Sequence, residues 1–220
     1  MKSQLKFLIA LFAFLYSVSA LAADGSSLKP PPGIKVAIVM FEDLECPDCA
    51  RAYPVVWDAA TAHKIPVLLH DFPLPKHFWS FDAAVFARYF DTKSQKLGDD
   101  FRGYIFKSQV NITAKNLHQF VQRFADDNKV PLPFVVDPEG KLKAKVKADY
   151  DLGVRINLDH TPTIFVVGSG GGSSTPFVEV TDRTQLAQII EDMQKKSGAS
   201  AAPAPVKRPA GKTAAKKKTS

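Results

Sequence analysis

What most constrains the fold of this chain is a pair of short, nearly continuous apolar runs with a helical segment between them. Lys35 to Phe41 (KVAIVMF) is rich in β-branched residues and almost uninterrupted, the pattern of a strand buried on both faces, and Ile65 to His70 (IPVLLH) repeats it. Cys46 to Thr61 has helical spacing, with Pro47 in the first turn, where its missing N–H costs nothing. Strand, helix and strand in so short a stretch predict a βαβ unit, parallel and right-handed.

From His77 to Ile156 the pattern turns mostly helical. Phe78, Phe81, Val85, Phe86, Tyr89 and Phe90 recur at intervals of three and four, and Leu117, Phe120, Val121 and Phe124 do so after Thr113, a candidate N-cap. Phe101, Ile105 and Phe106 predict a short helix between them, and these phenylalanine-rich faces are expected in the core. Pro131 and Pro133 break the run, and Pro138 is placed to open a further helix reaching Val154. Within that last segment Lys141, Lys143, Lys145 and Lys147 alternate with Leu142, Ala144 and Val146, which read alone is a strand pattern. Thr163 to Val167 predicts a strand, Gly168 to Ser174 a turn, and Phe177 to Val180 its antiparallel partner. Asp182 or Thr181 then caps a final helix carrying Leu186, Ile189, Ile190 and Met193.

The net charge of +7 over 220 residues raises the question of an anionic partner until the charges are located. Lys2 and Lys6 lie at the N-terminus, and six more basic residues lie between Lys207 and Lys218. Without those eight, the chain holds 21 basic against 22 acidic residues, so a basic nucleic-acid-binding domain is not expected. At the N-terminus the two lysines precede an apolar run, Phe7 to Tyr16, and an Ala20-Leu21-Ala22 cleavage pattern, which together predict an export signal over residues 1–22. An uncleaved anchor is the alternative, although the run is short for a bilayer span of ~20 residues. Residues 23–33 read as an irregular lead-in, 34–196 as the folded domain with its helical insertion at about 77–156, and 197–220 as a disordered basic tail that could touch anionic envelope surfaces. The expected location is periplasmic or secreted.

Only two cysteines are present, Cys46 and Cys49, separated by Pro47 and Asp48. A bridge across two residues closes so small a loop that it removes little entropy from the unfolded chain, so its value is chemical. At the start of a helix, unsatisfied N–H groups and the helix dipole stabilise a Cys46 thiolate. Cys49, one turn later on the same face, is placed to resolve a mixed disulfide.

The segment Phe41-Glu42-Asp43-Leu44-Glu45-Cys46-Pro47-Asp48-Cys49, the helical insertion, and His160-Thr161-Pro162-Thr163 before the last hairpin together resemble the thioredoxin-fold thiol–disulfide oxidoreductases, in particular the exported bacterial DsbA-like branch. The likeness runs from about Lys35 to Lys196. It implies an α/β, thioredoxin-like fold with a helical insertion between the second and third core strands. It also implies a cis Thr161–Pro162 bond facing the cysteines as a platform for substrate, with His160 beside it. The activity implied is disulfide formation in exported proteins by a monomer that needs no cofactor or metal. A membrane partner of the DsbB or vitamin-K-epoxide-reductase kind would reoxidise it.

One departure from the strongly oxidising pattern is Asp48, where those relatives carry His. A carboxylate about 7 Å from the sulfur, at an effective dielectric of about 40, opposes a thiolate by ~1 kcal/mol, close to one pKa unit. Glu42, Asp43 and Glu45 add charge of the same sign, so the sequence predicts a less stabilised thiolate and a less oxidising disulfide. Glu42 and Asp43 have a second reading as proton acceptor for Cys49, against the simpler one of solvated turn carboxylates.

Three alternatives use the same residues: an envelope reductase or isomerase, an inert structural disulfide, and a non-enzymatic zinc or copper module. The metal module lacks a second cysteine pair, and His63, His70 and His77 fall on separate predicted elements. Metal content of the freshly purified reduced protein separates it from catalysis. Deleting the residues after Ser197 is expected to leave redox activity intact, measured as disulfide exchange on a test protein.

Overall fold

A computed structural model of the chain describes residues 28–170 and 176–199. The export segment and residues 200–220 of the basic tail read from the sequence lie outside the described residues, as does part of the Gly168–Ser174 turn, whereas residues 197–199, expected to be disordered, close the last helix, with the N–H groups of Ser197 and Ala199 donating to the carbonyls of Met193 and Gln194 at 2.9 Å each. Four strands, β1 (Val36–Glu42), β2 (Val67–Asp71), β3 (Thr163–Gly168) and β4 (Phe177–Glu179), form one sheet in the order β2-β1-β3-β4. β1 pairs with β2 in parallel and with β3 antiparallel, and β3 pairs antiparallel with β4. Among the described residues six α-helices accompany them: α1 (Pro47–His63), α2 (Ser80–Asp91), α3 (Gln95–Ser108), α4 (Leu117–Asp127), α5 (Lys141–Arg155) and α6 (Leu186–Lys196). Among the described residues no helix is long and apolar enough to cross a membrane.

β1 is central, and all seven of its residues are buried, which is why its sequence is apolar almost without break. Its alternate side chains feed two cores. Val36, Ile38 and Met40 pack with Ala52 and Val56 of α1 and Ile190 of α6 on one face. Ala37, Val39 and Phe41 pack with Phe72, Phe165 and Val167 on the other, where Tyr150 and Leu152 of α5 close the layer. Each fully buried aliphatic side chain contributes about 1.5–3 kcal/mol, so this strand is the main apolar anchor of the fold.

The insertion, α2 to α5, has its own aromatic centre. Phe90, Phe101 and Phe124 meet with ring centroids 4.7, 5.0 and 5.2 Å apart. Not every phenylalanine follows the expectation of burial, however. Phe78 is 86% exposed and Phe81 38%, because α2 begins only at Ser80 and its inward face is made by Ala83, Ala84, Ala87 and Phe90. Thr113 is not the cap of α4. That helix starts at Leu117, and the Asn116 side chain instead accepts the Thr113 N–H at 2.6 Å.

The lysine-alternating stretch is helical throughout α5. Leu142 and Val146 are four apart, so the one pattern that also suits a strand puts both on the buried side of a helix. Pro138 lies in the preceding turn, and Asp137 supplies the cap, its carboxylate accepting the N–H groups of Leu142 and Lys143 at 3.0 and 2.9 Å.

The ends of β1 and β2 are tied to the insertion by charge. Fully buried Arg102 of α3 reaches Glu42 at the end of β1 (Nε–Oε1 2.9 Å) and Asp91 of α2 (Nη1–Oδ1 2.8 Å). Asp71, at the end of β2, is bonded by Arg88 of α2, which also bonds Asp149 of α5. Asp149 in turn meets His70 at 2.7 Å. Gly98 permits this packing, because a Cβ there would lie 1.7 Å from Asp91 Oδ1.

Removing one partner of a buried ion network strands the others without compensation. Arg102→Leu is therefore expected to lower the unfolding free energy by about 3–5 kcal/mol in urea titration. Lys96→Ala, which breaks the exposed Lys96–Asp100 pair, is expected to change it by no more than about 0.5 kcal/mol.

Candidate active site at the start of helix α1

Cys46 is the N-cap of α1 in extended conformation (φ −80°, ψ 119°), with Pro47 and Asp48 in the first turn. Both cysteines are free thiols. Cys49 is wholly buried, whereas Cys46 keeps 7% of its surface exposed, so of the two sulfurs Cys46 is the accessible one. The turn leading to it is closed by the Cys46 N–H donating to the Asp43 carbonyl at 3.0 Å. Gln109, just past α3, locks it from outside, its amide donating to the Leu44 and Cys46 carbonyls at 2.9 and 3.1 Å.

Across from the helix end lies the loop before β3, where the Thr161–Pro162 bond is cis. The Cys46 thiol donates to the Thr161 carbonyl at 3.3 Å. The Thr161 hydroxyl is buried and without a hydrogen-bond partner. His160 is on the same loop but turned outward, its ring bonded to Asp159 at 2.7 Å and largely exposed. Asp48, His160, Pro162, Ile164, Val180 and Arg183 are among the residues lining a groove of about 530 Å³ beside the cysteines.

The two thiols are driven apart in acidity. Cys46 is lowered to about 5 from an ordinary 9.0, first by the hydrogen bond from the Cys49 thiol, with burial opposing and the Thr161 side chain and the N–H groups of Cys49 and Asp48 adding to the stabilisation. Cys49 is pushed well up, chiefly by burial and then by its bond to Cys46. Its sulfur also accepts the Asp43 N–H at 3.4 Å.

The acidic residues around the pair are not free charges in a solvated turn, which corrects the simpler reading of them. Asp43 is buried and saturated: its carboxylate accepts from the N–H of Glu45 and Leu74, the Ser80 hydroxyl and the His77 ring. Glu45 accepts the N–H groups of Trp79 and Ser80 at 2.7 and 3.2 Å, and so caps α2 from a distance. Glu42 is buried in ionic contact with Arg102, yet neither of its oxygens has a well-aligned hydrogen-bond donor within the protein. Burial raises its carboxyl to about 8, with Arg102 pulling the other way.

Asp48 is held in a bidentate bridge by Arg183 (2.9 and 2.9 Å) and is also met by Arg51 at 3.1 Å. The guanidinium of Arg183 is the first cause that keeps the Asp48 carboxyl below its ordinary range. The ~1 kcal/mol penalty expected from the sequence assumed an uncompensated carboxylate, and the structure supplies the missing countercharge. Gln109 and Arg183 escape a reading of the sequence, since they stand 63 and 135 positions from their partners and match no motif. Among the described residues no group of three or more His, Cys, Asp or Glu side chains is gathered around a metal-sized space.

The chain matches the family model described as Thioredoxin over residues 32–192. No protein of curated function matches it by sequence. Among solved structures it is similar to a double cysteine-to-alanine variant of Wolbachia pipientis alpha-DsbA1, with a TM-score of 0.64 and 16% identity over 77% of this chain and 90% of that one. A periplasmic thioredoxin-like protein from Salmonella enterica serovar Typhimurium gives 0.59 at 13% identity, covering 76% and 88%. The catalytic domain of Proteus mirabilis ScsC gives 0.58 at 14%, also covering 76% and 88%. At such identities these likenesses bear on the fold.

The depressed acidity of Cys46 has a consequence for stability. A thiol whose pKa is about 5 when folded and 9.0 when unfolded stabilises the reduced form fully above pH 9, and that contribution is lost as pH falls through 5. Thiolate absorbance of the reduced protein is expected to titrate with a midpoint near pH 5. In Thr161→Val, which removes the hydroxyl that helps to lower Cys46, the midpoint is expected about one unit higher.

Proposed function

We propose that this chain, which belongs to the thioredoxin family, is a thiol–disulfide oxidoreductase that introduces disulfides into exported proteins through Cys46 and Cys49. The observation that carries the reading is the split between the two thiols: an accessible one lowered to about 5 and a buried one pushed up, at one helix end. A substrate thiolate attacks Cys46 of the Cys46–Cys49 disulfide, the S–S bond breaks, and Cys49 leaves with the electron pair and takes up a proton. A second substrate thiolate then attacks the substrate sulfur of the mixed disulfide. Its new S–S bond closes within the substrate, and Cys46 leaves as a thiolate. Two electrons pass to the protein, and a leaving group with low pKa favours that direction.

In this reading the residues around the sulfurs have distinct tasks. Pro47 and Asp48 form the first turn that sets the Cys46 geometry. Thr161 offers its carbonyl and its unpartnered hydroxyl to Cys46, and Thr161 and Pro162 present backbone to an extended substrate in the groove that His160 borders. Of the two candidate proton acceptors for Cys49, Glu42 is the suited one, because Asp43 has its oxygens filled while the Glu42 carboxyl is buried and near neutral pH in acidity. Export is supported by the signal-like residues 1–22 and by the periplasmic protein it resembles in fold. Reoxidation requires a membrane redox partner that accepts the two electrons from the dithiol.

Oxidised protein mixed with a reduced, unfolded substrate is expected to restore native disulfides faster than buffer alone. Cys46→Ser and Cys49→Ser, neither of which can form the internal disulfide, are each expected to abolish the effect, whereas with a disulfide-bonded substrate Cys49→Ser is expected to accumulate the mixed disulfide made when Cys46 attacks it. Unchanged oxidation by Cys46→Ser would sink the proposal. With a disulfide-bonded substrate, where Cys49 must give up its proton to resolve the mixed disulfide, Glu42→Gln is expected to slow that resolution, most clearly at and above pH 8 where the wild-type carboxyl has lost its proton, with little change in the first attack.

A further inference from the structure

Arg183 belongs to neither the cysteine motif nor the proline loop, yet it lies at the edge of both. It is part of the short turn Arg183–Gln185 that precedes α6, and this turn is capped by Asp182, whose carboxylate accepts from Thr184 N at 2.9 Å, from the Thr184 hydroxyl at 2.7 Å and from Gln185 Nε2 at 3.1 Å. From there both terminal nitrogens reach Asp48, between the two cysteines, in a fork-to-fork pair. The pair is about one-third exposed on each side (33% and 38%), so its contribution to folding is small. Its position gives it another use, because Asp48 is the residue between Pro47 and Cys49.

We infer that Arg183 is a positioning residue of the redox site, clamping Asp48 against the groove and cancelling the negative charge that Asp48 would otherwise hold beside the Cys46 thiolate. The inference rests on the oxidoreductase reading and adds to it a residue distant in sequence that sets the poise of the pair. Other charges face the site as well. Arg51 meets Asp48 from the same helix, Glu179 and Asp182 line the groove, His160 borders it while bonded to Asp159, and Glu42 lies beneath with Arg102. Glu42 is compensated by Arg102 at 2.9 Å, and Asp182 is engaged within its own turn. Asp48 therefore draws its bidentate countercharge from Arg183, with Arg51 as a single-sided second partner.

Without the clamp, Asp48 keeps only Arg51 on one oxygen, and its charge acts on the thiolate with at most the ~1 kcal/mol expected from distance and dielectric alone, up to roughly a tenfold change in the thiol–thiolate ratio. Arg183→Gln is expected to raise the Cys46 titration midpoint by up to about one unit and to move the equilibrium with glutathione up to about tenfold toward the disulfide form, at most about 30 mV less oxidising. Arg183→Lys should restore part of the shift, since it returns the charge but not the fork. Asp48→Asn should leave the midpoint at or below that of the wild type. The double variant Asp48→Asn/Arg183→Gln should return close to the wild type, because charge and countercharge leave together. A purely structural role for Arg183 predicts no such rescue. If Arg183→Gln folds with an unchanged unfolding midpoint and titrates as the wild type does, the inference falls while the oxidoreductase reading stands. If Arg183→Gln does not fold, the double variant decides, and a midpoint raised there as well overturns the inference. A wild-type pair that does not exchange with glutathione overturns the reading itself.

Discussion

Arg102 sits with no exposed surface among Glu42, Asp91 and, at 3.9 Å, Asp71, and the arrangement of the molecule depends on that contact. Burial works against its charge, but the surrounding carboxylates outweigh burial and push its pKa up. The carboxylates come from β1, β2 and α2, and Arg88 extends the network to Asp149 of α5. A network of this kind contributes less to stability than its number of contacts suggests, since desolvation offsets attraction. It joins the C-terminal ends of β1 and β2 to α2, α3 and α5, beside the turn that runs from Glu42 to the start of α1.

The active-site turn is held by similar bonds. Four carboxylates lie within a short stretch of the cysteines, and each is engaged elsewhere: Glu42 by Arg102, Asp43 by four donors, Glu45 by the start of α2, Asp48 by Arg183. A cluster that would repel a thiolate if free is converted into scaffolding. Cys46 is left facing a thiol, backbone N–H groups and the Thr161 side chain, which is why it is acidic while Cys49 is not. The insertion thus does more than cover the sheet, because Trp79, Ser80 and Gln109 all bond to the turn that presents the sulfur.

Periodicity revealed much of this. The runs around β1 and β2, the Phe90–Phe101–Phe124 core and the placement of the cysteines at a helix start follow from local pattern, because burial on two faces and helical spacing are written into consecutive residues. The element starts were harder. α2 begins at Ser80 because Glu45, thirty-five positions away, caps it, and α5 begins at Lys141 because Asp137 does. Neither signal can be told from an ordinary acidic loop residue. The lysine alternation of α5 was ambiguous in itself, and only packing of Leu142 and Val146 against the rest decides it.

The sequence by itself determined that two buried strands flank a helix with Cys46 and Cys49 at its mouth, since that follows from which residues shun water and which spacing puts two sulfurs one turn apart. Tertiary structure alone decided how strongly the sulfurs differ. That difference depends on where the buried Cys49 sulfur, the Asp43 N–H and the Thr161 loop come to rest, and burial and hydrogen bonding depend on neighbours that a linear order of residues does not contain.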